Sequence, residues 1–335
     1  MADVTDAAFR RIIAKYGRPD VMWTEFVSAD GLCHPKGREK LLPSLLYSKA
    51  ERPIVAQLFT AHPDKMEEAA RLIQKLGFNG LDINMGCPDR AVEGQDAGAV
   101  LMKNPKLAQT IIAAARVGAP KLPISVKTRL GYSYDQLDKW LPALLETDLA
   151  AIIIHARTRK EMSKVPAHWE ALIRAVKIRD ELKSKTLIIG NGDVANLVEA
   201  RARAAVTGVG GVMLGRAIFG NTWRFSENWK AIACSRSARG SRDQLLSSSP
   251  AVNQRFDLKN PPRSNLEIRL RVLVEHTKLF EKLLGQTKSF AIMKKHFKAY
   301  ATGWGGAIDL RQELMGAPNG AVVRQIVDKY LANML

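Results

Sequence analysis

A TIM-type (β/α)8 barrel that lacks its first strand, followed by a small all-α domain, is the fold this sequence of 335 residues predicts. Three observations predict it. Seven short, β-branched runs each lead into a helical pattern. The runs are continuously apolar, which implies a parallel sheet buried on both faces. From Leu266 onward the strand signal stops and helical periodicity continues to the end. Strands spaced roughly 25–40 residues apart, with no sign of two doubly wound halves, favour a barrel over an open sheet.

The chain opens "MADVTDAAFRRIIAKYG", which reads as a loop and helix with no strand before it. A barrel of this class needs eight strands, so a segment is expected upstream of Met1. The strand runs are "DVMWTEF" at 20–26, "PIVAQLF" at 53–59, "GLDINM" at 80–85 and "PISVKTRL" at 123–130. "AAIIIHAR" at 150–157, "TLIIGNGD" at 186–193 and "GVMLGR" at 211–216 complete the set. The clearest helix is "HPDKMEEAARLIQKLGFNG": Pro63 suits a first turn, Met66, Ala69, Ile73 and Leu76 recur at helical spacing, and Gly77 is a stop. Residues 1–232 are therefore expected to form the barrel. Residues 233–263, rich in Ser, Arg and Pro and without periodicity, read as a linker or insertion, and 264–335 as the helical domain.

Composition narrows the function classes. There is no apolar run of transmembrane length and no secretory signal pattern, so no membrane partner is expected. Cys33, Cys87 and Cys234 are too far apart for a disulfide framework or a CxxC metal pair, which points to the cytoplasm and to no bound metal. Nothing demands a dimer, and a monomer is expected. The net charge of +18 attracts polyanions, nucleic acid first among them. Residues 233–263 contribute +4 and 264–335 contribute +5, so the charge is spread along the chain and no single tail carries it.

In a barrel, residues at the carboxyl ends of the strands converge on one face. Those positions hold Gln57, Asn84 with Cys87, Lys127 with Arg129, His155 with Arg157, Asn191-Gly192-Asp193 and Gly215-Arg216. The glycines of the last two strand ends would let backbone N–H groups approach a phosphate. Lys127 reads as a Schiff-base lysine, a holder of an anionic cofactor edge, or a solvated lysine at the mouth. His155 reads as a general acid, a phosphate ligand or a core imidazole. Cys87, between Gly86 and Pro88 at a strand end, is either packing or a nucleophile or proton donor.

These segments resemble the tRNA-dihydrouridine synthases, flavin enzymes of bacterial type that reduce uridine in transfer RNA. The similarity covers nearly the whole chain and rests on "MADVTDAAFR", "TEFVSADGL", "PIVAQLF", "GLDINMGCP", "ISVKTRLG", "IHARTR", "IIGNGDV", "GVMLGRAIFGNTW" and "MKKHFKAYATGWGGAIDLRQEL". The resemblance implies FMN at the barrel mouth, with Met1 in the first cofactor-contacting motif, Gln57 and Lys127 at the isoalloxazine edge and His155 beside it. Asn191, Gly192, Asp193, Gly215 and Arg216 would surround the phosphate. It also implies NADPH, or NADH, as reductant, hydride transfer from flavin N5 to uracil C6, and a proton from Cys87 to C5. A protonated thiol is required for that role. Asn84, Arg129 and Arg157 would face the substrate. Lys294, Lys295, His296, Lys298 and Arg311 of the helical domain would dock the tRNA.

Three departures from the family pattern stand out: Asp96 where Gly is usual, Ala156 where Gly is usual, and the length of the 233–263 insertion. Two other readings use part of the same residues. A phosphate-binding lyase or aldolase would use Lys127 as a Schiff-base lysine together with the phosphate loops, leaving Cys87, the helical domain and the net charge idle. A non-catalytic relative would bind tRNA without chemistry.

Overall fold

The structure, a computed structural model, describes residues 3–226 and 263–334. Among them, seven strands form one sheet, all neighbours parallel, in simple sequential order. They are β1 (Met22–Ser28), β2 (Ile54–Phe59), β3 (Gly80–Asn84), β4 (Ile124–Arg129), β5 (Ala151–His155), β6 (Leu187–Asn191) and β7 (Gly211–Met213). Each overlaps its expected run. The order β1 to β7 with helical crossovers is that of the predicted barrel type, with β1 and β7 at the two ends of the order. Met1 and Cys234 lie outside the described residues, as does the expected linker except for Arg263, where a helix already begins.

Burial explains the strand composition. Every residue of β3 is buried, and Ile152, Ile153 and Ile154 of β5 are wholly so. Each such side chain contributes about 1.5–3 kcal/mol by leaving water. The helices preceding and crossing between the strands are α1 (Ala7–Tyr16), α2 (Ala29–Cys33), α3 (Pro35–Leu41), α4 (Pro63–Lys75), α5 (Arg90–Glu93) and α6 (Pro105–Gly118). α7 (Leu137–Leu145), α8 (Glu170–Glu181) and α9 (Leu197–Thr207) follow. α4 starts at Pro63 as its sequence requires and buries Met66, Ala69, Ala70 and Ile73. Leu76, expected in that stripe, is instead an exposed cap, because the helix ends one residue before it and Gly77 turns away with φ +78°.

Contacts divide the chain into two compact units, Met1–Arg11 with Pro19–Ala217 and Ile12–Arg18 with Ile218–Leu335. The second unit is built on α10 (Arg263–Leu284), α11 (Met293–Tyr300), α12 (Ala307–Gly316) and α13 (Gly320–Ala332). α10 packs chiefly against α13, with Leu270, Leu273, Phe280, Val323 and Val327 in its core. Glu281 of α10 accepts a hydrogen bond of 2.8 Å from the Gly320 N–H at the start of α13. That bond supplies a partner for one of the N–H groups a helix leaves open at its start.

Candidate active site

Strand register gathers the expected residues on one side of the sheet. Gln57 pairs with Asp82, Asp82 with Ser125, Asn84 with Lys127, Arg129 with His155, and His155 with Asn191. Because side chains alternate along a strand, Asp82 and Asn84 point to the same face, as do Ser125 and Lys127. Contacts follow from this placement. Lys127 Nζ donates to Asn191 Oδ1 at 3.2 Å, and Asn191 Nδ2 donates to the Met213 carbonyl at 2.8 Å, which ties β4, β6 and β7 together.

The Cys87 loop is held by main chain and by its neighbours. Asn84 Oδ1 accepts from the backbone N–H of Gly86 (3.2 Å) and of Cys87 (2.9 Å). The Cys87 carbonyl accepts from Ala99 N–H at 3.0 Å. Gly98 carries φ +64°, and a Cβ there would lie 2.8 Å from the Cys87 carbonyl oxygen, so this turn needs glycine. Asp96, where the resemblance led to a glycine being expected, has φ +54°. Asp is among the few non-glycine residues that tolerate this left-handed geometry. The thiol is half-buried against the cluster of Phe59, Val92 and Ala97, on which Phe26 also packs. Burial raises its pKa above the ordinary thiol value, opposed by the Asp89 N–H and the charges of Arg129 and Lys127. The group is therefore a thiol at neutral pH.

The charges around it are mutually tuned. Burial and the Arg129 charge push Lys127 down to about 8, while Asp82 opposes the fall. Burial pushes His155 far below its ordinary range, helped by Lys127, Arg129, Arg157 and Arg216, so the imidazole is neutral. Arg157 Nη1 lies 3.1 Å from His155 Nε2; as a guanidinium can only donate, Nε2 accepts and the ring proton sits on Nδ1.

Some expected substrate contacts turn out to be framework. Arg129 is buried: its Nε donates to the Gly86 carbonyl at 2.7 Å and its Nη1 to the Thr158 and Met162 carbonyls. It fastens the Cys87 loop to the loop after β5. Arg157, also buried, pairs with Asp193 and donates to the Val165 carbonyl at 2.7 Å. The Asp193 carboxylate also accepts from Arg216 at 3.0 Å and from Ala167 N–H at 3.1 Å, so its side chain is committed within the protein. Gly192, φ +129°, packs so closely on Ala167 that a Cβ would come within 2.9 Å, whereas nothing lies within 4 Å of the position a Gly215 Cβ would take.

In the second unit, Lys294, Lys295 and Lys298 are exposed and Arg311 is half-buried. His296 corrects an expectation. It is wholly buried, its ring 5.5 Å from Phe219 and 4.5 Å from His276, because it falls on the inner stripe of α11 with Met293, Phe297 and Tyr300. A macromolecule docking on this helix meets the lysines and not the imidazole.

Sequence reasoning missed Asp82, Ser125 and the pair Glu93–Arg159, which joins α5 to the loop after β5 with Arg159 Nε 2.7 Å from Glu93 Oε1. Asp82 had a signal: an acid in the middle of an otherwise apolar run, two residues before Asn84 and so on the same face. The Glu93–Arg159 pair, 66 residues apart, had none.

The whole constellation can be compared with known proteins. The dihydrouridine synthase (Dus) family matches residues 1–333, nearly the entire chain. The chain belongs to the dihydrouridine synthase family. Among its curated relatives, the probable tRNA-dihydrouridine synthase of Staphylococcus aureus (strain MRSA252) is 36% identical over 337 residues, covering 100% of this chain and 92% of the relative. The probable tRNA-dihydrouridine synthase 2 of Bacillus subtilis (strain 168) is 36% identical over 331 residues, covering 98% and 92%. Among solved structures, the old yellow enzyme homologue from Zymomonas mobilis overlays with a TM-score of 0.46 at 14% identity, covering 72% of this chain and 86% of that one.

Proposed function

We propose that this dihydrouridine synthase family member reduces the C5–C6 double bond of a uridine in transfer RNA, with FMN bound at the mouth of the barrel and NADPH or NADH as reductant. The observation that carries the reading is the Cys87 thiol: protonated, half-buried and fixed by backbone bonds at the carboxyl end of β3, one strand from Lys127. A group that must deliver a proton needs to hold it at neutral pH, and this one does.

The residues present fit a flavin phosphate and ring. The open backbone at Gly215 and the largely exposed Arg216 suit an anionic phosphate, and the neutral His155 can present its Nδ1–H. Lys127, half-buried and still protonated at pH 7, suits the electron-rich edge of the isoalloxazine, with Gln57 beside it. When bound, FMN supplies the hydride for uracil C6. Cys87 gives its proton to C5, and burial against Phe59, Val92 and Ala97 keeps bulk water from competing for that position. Lys127 offsets negative charge as it develops during the transfer. Lys294, Lys295, Lys298 and Arg311 provide phosphate contacts that hold tRNA by shape and charge, in a cytoplasmic monomer without metal.

The test begins with an absorption spectrum and mass identification of any cofactor released on denaturation, followed by incubation with unmodified tRNA and NADPH. FMN and newly formed dihydrouridine support the reading. A colourless protein that forms a borohydride-trapped adduct on Lys127 with a carbonyl compound refutes it in favour of a lyase.

A further inference from the structure

A barrel floor is normally filled with apolar side chains, and a carboxylate there costs stability unless it has a task and partners. Asp82 is wholly buried in β3, beneath the mouth. Its Oδ1 accepts from Ser125 Oγ at 2.6 Å and its Oδ2 from Gln57 Nε2 at 2.7 Å. With Nε2 so committed, Gln57 turns Oε1 to Asn84, whose Nδ2 donates to it at 3.3 Å. That in turn leaves Asn84 Oδ1 aimed at the Gly86 and Cys87 N–H groups. Each amide in this chain has its orientation set by the one before it, and a carboxylate, which can only accept, sets the first.

We propose that Asp82 is the positioning residue of the reaction site: from the floor of the sheet it orients the amides of Gln57 and Asn84 and thereby fixes the backbone of the Cys87 loop, while its charge faces Lys127. The inference rests on the functional reading given above and adds to it a residue that touches neither cofactor nor substrate. The electrostatics agree. Burial raises the Asp82 carboxyl to about 6, opposed by Ser125, Gln57 and the Lys127 charge, so it is ionised at pH 7 and helps keep Lys127 protonated.

Two variants separate the two tasks. Asp82→Leu removes both acceptors, so Gln57 is free to turn over and the Asn84 bonds loosen. Hydrogen exchange at the Gly86 and Cys87 amides, read by mass spectrometry on the peptide containing them, is expected to accelerate about tenfold, the loss of roughly one hydrogen bond's worth of protection. Asp82→Asn can still accept from Gln57 through its carbonyl oxygen and can donate to Ser125 Oγ. Its exchange is expected to match wild type, while the alkaline limb of kcat moves down by about one pH unit as Lys127 loses its counter-charge. Wild-type exchange in a folded Asp82→Leu protein overturns the positioning role. If that variant does not fold, Asp82→Asn decides alone, and an unmoved alkaline limb or accelerated exchange overturns the proposal. Exchange is read without turnover. Failure of the wild type to form dihydrouridine would therefore count against the functional reading and leave the exchange result standing on its own.

Discussion

Cys87→Ala separates chemistry from architecture, because the loop is tied by the main chain of residue 87 and not by its sulfur. The N–H bond to Asn84 at 2.9 Å and the carbonyl bond from Ala99 at 3.0 Å both survive the change. What is lost is one sulfur atom packed on the cluster of Phe59, Val92 and Ala97. A truncation of that size costs about 1 kcal/mol of stability, a shift in Tm of a few degrees. Loss of a general acid costs about 10²–10⁴ in rate. The expectation is therefore a protein that melts nearly as wild type, releases the same amount of FMN and is reduced by NADPH at the same rate, yet forms dihydrouridine at least a hundredfold more slowly. The assay is a single-turnover experiment: the pre-reduced enzyme is mixed with unmodified tRNA, and dihydrouridine is counted by nucleoside mass spectrometry. Turnover within a few-fold of wild type would refute Cys87 as the proton source. Loss of FMN along with turnover would refute the claim that the sulfur holds nothing up.

Gly98→Ala places a Cβ 2.8 Å from both the Cys87 oxygen and Val92 Cγ1 at φ +64°, and is expected to cost about 2 kcal/mol, with a more than tenfold fall in kcat because the strain falls on the Cys87 turn; thermal melts and turnover measured together check it. Since the folded Lys127 releases its proton near pH 8 and an unfolded lysine near 10.5, the unfolded chain binds more protons between those values. Its burial penalty is thus full below pH 8 and relieved as pH rises, so denaturant midpoints should show a rise in stability across this window that Lys127→Met abolishes. Over the same range kcat should fall through pH 8, with no limb from His155 between pH 5 and 9, as a pH–rate profile will report. Lys294→Ala and Lys298→Ala should each weaken tRNA binding and lower its salt slope by about 1, whereas His296→Ala, buried as it is, should lower the melting temperature and leave the slope alone; filter binding over a salt series distinguishes them.

The sequence by itself determined the strand–helix alternation, the parallel sheet and the ring of polar strand ends. These are consequences of local pattern: a run such as "AIIIH" is legible because each of its residues meets the same buried environment, and Pro63 and Gly77 mark their helix through backbone geometry alone. The family resemblance added the expected roles of Cys87, Lys127 and Gln57, which the experiments above test. What only the tertiary structure decided is which polar side chains are spent inside the protein. Arg129, Arg157 and Asn84 stand at strand ends as ligand-binding residues would, yet the arginines bond carbonyls and Asp193 distant along the chain. Asn84 bonds Gln57 on the neighbouring strand and the Gly86 and Cys87 amides of its own turn. Asp82 acquires its place from cross-strand register, and His296 from the inward face of a single helix turn. A hydrogen bond is made between atoms brought together by the fold, and whether a donor is left over for a ligand follows from that pairing.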